Sequence, residues 1–250
     1  MIEAKNKTPL IEMRGIHKKY GSKIVHRGID LNVYPGEVLA LMGGSGCGKS
    51  VLLRMIVGLE KPDSGTIQFK SEFIENLSEQ NLVPVRKKIA YVFQYGALFD
   101  SFSIKENLAY PLREHTKFTE TEIHEKVLST LEQVGLKGTE NLYPSDLSGG
   151  MQRRVGVARS IIMNPEVILY DEPTTGLDPF NTQQILKIIL KLKSTGATSV
   201  LVTHDMTAIF SVTDRVAFMK EGEIVALGTR DEIKNSKVKE VSNFIHGETY

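Results

Sequence analysis

The stretch Gly43-Gly44-Ser45-Gly46-Cys47-Gly48-Lys49-Ser50 limits what this chain can become more than any other. It follows an apolar run, Val38-Leu39-Ala40-Leu41-Met42, and precedes Val51-Leu52-Leu53-Arg54-Met55-Ile56. The order is strand, glycine-rich loop, helix. Glycines let a backbone turn through positive φ and approach an anion with no Cβ in the way. Successive N–H groups then face inward, and the helix N-terminus adds a favourable dipole. The spacing is G-x-x-x-x-G-K-S, that of a phosphate-binding loop. Lys49 is placed to reach the β- and γ-phosphates of a nucleotide, and the Ser50 hydroxyl to ligate Mg²⁺.

The pattern around this loop alternates. Residues 10–16 read as a strand, residues 15–22 as a turn and residues 23–33 as a second extended segment. Tyr34-Pro35-Gly36 is a turn, and residues 66–69 form another strand after Lys61-Pro62-Asp63-Ser64-Gly65. These early strands alternate polar and apolar residues, which suits a half-exposed antiparallel sheet. Residues 89–93 read as a buried strand, and residues 97–163 take on a helical pattern. Within it, Thr119-Glu120-Thr121-Glu122 is a capping box. Ile123, Val127, Leu128, Leu131 and Val134 then share one helical face up to Gly135. Strands at 167–170, 199–202, 215–219 and 223–227 alternate with helices at 181–193 and 206–212. That alternation implies an α/β fold with a mainly parallel sheet. Residues 231–246 read as one closing helix, and residues 1–9 are polar with no element.

Lys and Arg total 31 against 30 for Asp and Glu, and no block of like charge stands out. Nucleic acid is therefore not an expected partner. Arg86-Lys87-Lys88 reads as a solvated face. No run reaches the roughly 18 apolar residues of a membrane span. The first residues lack an apolar signal core. The single cysteine, Cys47, excludes a disulfide within the chain. A soluble, cytoplasmic protein is expected.

Other residues fit the chemistry that the loop begins. Asp171 ends an apolar strand and Glu172 follows it. Beside a phosphate loop, the first suits Mg²⁺ and the second suits the attacking water. Alone, the pair is an acidic turn before Pro173. Leu147-Ser148-Gly149-Gly150-Met151 opens a helix, and such a start is a second anion site by the same physics, although taken alone the segment reads as a simple N-cap. Two anion sites for one nucleotide point to a composite site shared by two subunits. His204 ends a core strand, on the ligand side of an open parallel sheet, where it could meet a γ-phosphate, although a lone histidine is more often structural. Gln94 ends another strand, where its amide can meet Mg²⁺ or the water. Asp178 would position the site across a subunit boundary. Tyr20 can stack on an adenine or simply pack.

Together these segments resemble the ATPase subunits of ABC transporters, in that family's order and over residues 10–228. Tyr20 matches the adenine-stacking loop, residues 43–50 Walker A, Gln94 the Q-loop and Leu147-Ser148-Gly149-Gly150-Met151 the signature. Residues 167–171 match Walker B, with Glu172 as catalytic glutamate. Thr175-Gly176-Leu177-Asp178 matches the D-loop and His204 the H-loop. Met151 departs from the family's usual glutamine, which touches one side-chain contact. The resemblance implies ATP and Mg²⁺ as ligands. ATP would be held by Tyr20, by Gly43, Gly44, Ser45, Gly46, Cys47, Gly48, Lys49, Ser50 and Val51, and by Ser148, Gly149, Gly150 and Asp178. The metal would be held by Ser50, Gln94 and Asp171, and catalysis carried by Glu172, His204 and Gln94.

The implied architecture is a P-loop α/β core with an antiparallel β subdomain at residues 8–94 and 163–228. A helical subdomain at 95–162 and a helical tail at 229–250 complete it. Tyr95-Gly96-Ala97-Leu98-Phe99-Asp100-Ser101 and the run from Leu169 to Pro179 are similar to the MlaF-type ATPases of bacterial Mla/Mce lipid-transport systems. That likeness implies a homodimer on the inner face of the cytoplasmic membrane, with an integral permease, an Mce-domain binding protein and a lipid cargo. A cassette for another cargo, such as amino-acid import or lipoprotein release, and a non-transporting signalling module are the alternatives.

Overall fold

In the computed structural model, which describes residues 8–247, the chain opens with two long antiparallel strands, β1 (Ile11–Tyr20) and β2 (Lys23–Val33). The turn expected from residue 15 is confined to residues 21–22. The β1–β2 register shifts between Met13 and Ile16, so a bulge bends the strand where a turn would have ended it. The expectation for residues 1–9 falls mostly outside the described residues.

Next come β3 (Val38–Gly43), helix α1 (Lys49–Ile56), β4 (Ser64–Phe69) and the short β5 (Glu72–Phe73). The antiparallel sheet has the order β2-β1-β4-β5. Helix α2 (Glu79–Lys88) was not anticipated. Its sequence is polar, Pro84 interrupts it, and only Leu82 and Val85 are buried. The basic cluster at its end is not simply solvated. Arg86 donates to the carbonyls of Val57 (3.2 Å) and Gly58 (2.9 Å) and pairs with Glu79.

Strand β6 (Ile89–Val92) leads into the helical section. It is three helices, α3 (Ile104–His115), α4 (Glu120–Gln133) and α5 (Gly149–Ile161), joined by irregular segments. Thr119 caps α4 as expected: its Oγ1 accepts from the Glu122 N–H, and Glu122 Oε2 accepts from the Thr119 N–H. Residues 97–103 are not helical, because the wholly buried Asn107 takes their backbone groups. Its Oδ1 accepts from the Phe99 N–H, and its Nδ2 donates to the carbonyls of Phe99, Phe102 and Ser103.

The chain then alternates through β7 (Val167–Asp171), α6 (Pro179–Ser194), β8 (Thr198–Val202), α7 (Met206–Val212), β9 (Arg215–Lys220) and β10 (Glu223–Thr229). The second sheet has the order β10-β9-β3-β8-β7-β6, parallel except for β10. The single closing helix expected over 231–246 is two, α8 (Arg230–Lys234) and α9 (Lys239–His246). Asn235 and Ser236 break it by forming turn bonds back to Asp231 and Ile233.

β3 is buried along its whole length, since both faces of its sheet are covered. Leu39 and Leu41 face α1 and the antiparallel sheet. Val38, Ala40 and Met42 face the helices on the other side. The loops at the carboxyl ends of β3, β7 and β8 therefore share one edge, which an open parallel sheet leaves free for ligands. Among the described residues, no helix is long and apolar enough to cross a membrane.

Candidate active site

The phosphate loop is shaped from beneath. Gly48, the residue before α1, has φ 100 and ψ 4. A Cβ there would lie 2.5 Å from His26 Nε2 and 2.9 Å from Val25 Cγ1. His26, on β2, is wholly buried, and burial pushes its pKa below the ordinary value. The neutral ring donates from Nε2 to the Gly48 carbonyl, 3.1 Å away. Lys49 is buried too, and its Nζ donates to the carbonyls of Gly43 (2.8 Å) and Gly44 (2.9 Å).

Ser50 and Asp171 meet although 121 residues separate them. The Ser50 hydroxyl donates to Asp171 Oδ1 at 2.7 Å. The other carboxylate oxygen accepts from the Tyr91 hydroxyl, also at 2.7 Å. Burial, and then the adjoining carboxylate, push the Tyr91 phenol well above its ordinary pKa, so the proton stays on the tyrosine. Ser50 and Asp171 offer oxygen donors side by side, and the residues present fit Mg²⁺, a hard cation. No cluster of three or more His, Cys, Asp or Glu side chains suits a metal among the described residues. A cation here would complete its shell from phosphate and water, the usual habit of Mg²⁺.

Glu172 has φ 50, the left-handed region, which a glutamate enters only when its surroundings hold it there. Its N–H donates to the Val202 carbonyl at 2.9 Å. Its Oε2 accepts from the Thr175 hydroxyl (2.8 Å) and lies 3.0 Å from His204 Nδ1. That contact assigns the proton to Nδ1 and leaves Nε2 for another partner. Ser50, Glu172, Thr175 and His204 open on a cleft of about 650 Å³, whereas Asp171 does not line it and meets it through its bond to Ser50. Tyr20, the phosphate loop apart from Cys47, Val51, Gln94, Glu172 and His204 line it. Cys47 packs inward against the core, with Sγ 3.8 Å from Lys49 Nζ.

Ser148, Gly149, Gly150 and Asp178 do not line this cleft. Ser148 caps α5 by accepting from the Met151 N–H, and Asp178 caps α6 by accepting from the Asn181 N–H at 2.8 Å. The two helix starts touch: a Cβ on Gly150 would stand 2.2 Å from the Asn181 side chain. Asn181 Nδ2 in turn donates to Asp178 Oδ2 at 2.6 Å. These hydrogen bonds hold the Asp178 carboxyl below the ordinary pKa.

Sequence reasoning named Thr175 only as part of the D-loop segment and missed Tyr91, His26 and Phe244, the last from α9 on the rim of the cleft. A hydroxyl within the apolar run Ile89-Ala90-Tyr91-Val92-Phe93 was the available sign for Tyr91. His26 carried none, since its partner loop lies across the fold.

A phosphate loop facing a held glutamate, with a hydroxyl and a carboxylate beside it, defines a class: the P-loop ATPases. Residues 26–175 match the model of the ABC transporter family, and the chain belongs to that family as an ATP-binding, ATP-hydrolysing cassette. It is 39% identical over 241 residues to the intermembrane phospholipid transport system ATP-binding protein MlaF of Haemophilus influenzae, spanning 96% of this chain and 91% of the relative. To MlaF of Escherichia coli K12 it is 40% identical over 239 residues, 95% of this chain and 89% of that one. It is also similar to a solved dimeric ATP-binding cassette, MJ0796, in a post-hydrolysis state with ADP and Pi. That match has TM-score 0.81 and 31% identity, and covers 88% of this chain and 98% of the other.

Proposed function

We propose that this chain energises phospholipid transport across a bacterial envelope, as the paired ATPase of an Mla/Mce system. The observation that carries the reading is the 39% identity to an MlaF protein over nearly the full length of both chains. In this reading the chain works as a homodimer docked on a membrane permease at the inner face of the cytoplasmic membrane, with an Mce-domain partner that handles the lipid. The chain then divides into a nucleotide-binding core with its antiparallel sheet, a helical subdomain at 95–162 and a tail from 229.

In this reading Tyr20 stacks on the adenine. The loop N–H groups and Lys49 hold the β- and γ-phosphates. Ser148, Gly149 and Gly150 from a second copy close over the γ-phosphate, with Asp178 at the boundary. Their position outside the cleft supports a site completed only by pairing. Ser50, Asp171 and Gln94 would hold Mg²⁺, which when bound neutralises phosphate charge. Glu172 orients and deprotonates the attacking water. Thr175 and His204 hold its carboxylate, and His204 Nε2 faces the γ-phosphate. Loss of that phosphate removes what joins the two copies, and the pair opens.

The permease would dock where α2, β6 and α3 meet. A cleft of about 360 Å³ there is lined by Leu59, Val83, Phe93, Pro111 and His115. Beside it Phe99, Phe102 and Tyr110 form an aromatic cluster with ring centroids 5.2–6.3 Å apart. Arg159 braces this cluster, with its guanidinium over Phe99 and its N–H groups on the Gly96 and Ala97 carbonyls. Purification from membranes, with bound proteins and lipids identified, tests the whole reading. Phospholipid and an Mce-domain protein are expected. A different cargo, or no membrane subunit, would refute it.

A further inference from the structure

We propose that Tyr91, whose ring lines the groove beside β6, is a positioning residue that fixes the orientation of the Asp171 carboxylate. This rests on the reading of Asp171 as the carboxylate that holds Mg²⁺. The geometry is two-sided. The ring of Tyr91 lies on Phe93, centroids 4.5 Å apart and planes tilted by 39°, and both residues line the groove with Leu59 and Pro111. The far end of the same side chain reaches through to Asp171 Oδ2 at 2.7 Å.

Each oxygen of Asp171 thus takes one hydroxyl, Ser50 on Oδ1 and Tyr91 on Oδ2. The two hydroxyls are not equivalent. Ser50 belongs to the phosphate loop and is free to turn to a cation. Tyr91 belongs to the sheet and keeps its bond. A phenylalanine would fill the groove wall as well as this tyrosine does. The hydroxyl matters on the Asp171 side, where Arg54 is also near it, because a buried phenol needs a partner and a carboxylate that holds a metal needs a donor to fix its plane.

The strand is fixed where the ring leaves it. The Tyr91 carbonyl accepts from the Ser160 hydroxyl of α5 at 3.2 Å, and the backbone pairs in parallel register with Leu169 of β7. The Tyr91 ring thus spans from the groove wall to the carboxylate, with its hydroxyl held on Asp171.

The test compares the full chain with Tyr91→Phe, which keeps the ring and removes the hydroxyl. Binding of a fluorescent ATP analogue is titrated with and without Mg²⁺, and hydrolysis is followed against Mg²⁺ concentration. Binding without Mg²⁺ should stay within about twofold of wild type. The Mg²⁺ concentration for half-maximal binding should rise roughly tenfold, at the low end for loss of a partner that orients a metal ligand. The turnover number should fall more than the KM for ATP changes. Tyr91→Met, which also lacks the hydroxyl but fills the space differently, should show the same Mg²⁺ shift. A merely structural role would instead weaken binding equally with and without Mg²⁺. If wild type depends on Mg²⁺ and both variants match it, the role of Tyr91 is overturned. A wild-type chain with no Mg²⁺ dependence overturns the Asp171 reading as well.

Discussion

Gly48→Ala should destabilise the chain far more than Gly46→Ala, although both residues lie in the same loop. Both have positive φ, 100 for Gly48 and 77 for Gly46. Placing alanine in such a backbone costs about 1–2 kcal/mol in either case. The surroundings then separate them. An added Cβ at Gly46 meets nothing within 4 Å. At Gly48 it would stand 2.5 Å from His26 Nε2 and 2.9 Å from Val25 Cγ1. His26 is wholly buried and has no open space to retreat into, so overpacking adds about 1–3 kcal/mol. The expected totals are about 1–2 kcal/mol for Gly46→Ala and about 2–5 kcal/mol for Gly48→Ala. Equilibrium unfolding in urea reads both. Adding His26→Ala to Gly48→Ala gives the decisive comparison, because removing the ring removes the closest clash and leaves only that with Val25 Cγ1. The two changes should be coupled by about 1 kcal/mol or more in the favourable direction. Equal costs at the two glycines, or strict additivity with His26→Ala, would refute the claim that this histidine sets the shape of the loop.

Glu172→Gln should preserve ATP binding and lower hydrolysis by about 10²–10⁴-fold, the span of general-base assistance. Size-exclusion chromatography with ATP should show a larger share of dimer, and unchanged turnover would count against the assignment. Cys47 is half-buried and packs beneath the loop, so a maleimide should block hydrolysis slowly, and ATP should slow it further. Full activity after complete labelling would show that the adduct does not obstruct the site. Phe99→Ala removes an aromatic that is 46% exposed and should weaken permease pull-down by about 2 kcal/mol or more, with nucleotide affinity unchanged. An undiminished pull-down would move the docking site elsewhere.

The phosphate loop, its strand and its helix were legible because the pattern is local: eight consecutive residues between two apolar runs. Asp171 and Glu172 were legible for a similar reason, as acids ending a buried strand. The sheet class followed from alternation of apolar strands and amphipathic helices. Helix α2 escaped because its buried positions are only Leu82 and Val85, too few to show a period, and Pro84 reads as a breaker. The break at residues 235–238 escaped because apolar spacing runs across it, while Asn235 and Ser236 redirect the backbone by local bonds. Tyr91 and His26 escaped for another reason. Their partners lie 80 and 22 residues away along the chain, and only the folded sheet makes them neighbours. No local pattern encodes such a pair.

In the role proposed for Glu172, its left-handed backbone sets speed against robustness within one residue. Holding a glutamate there costs about 1–3 kcal/mol, which the neighbouring strands must supply. A glycine at 172 would adopt the same turn without that strain and would leave a sturdier chain, but with no carboxylate for the water. Selection for stability alone would drift toward the inert form. Every copy that turns over ATP carries the strain throughout its lifetime, between cycles as well as during them. Thr175 and His204 hold the carboxylate in place before any nucleotide arrives, so that in the proposed mechanism little reorganisation is left for the chemical step.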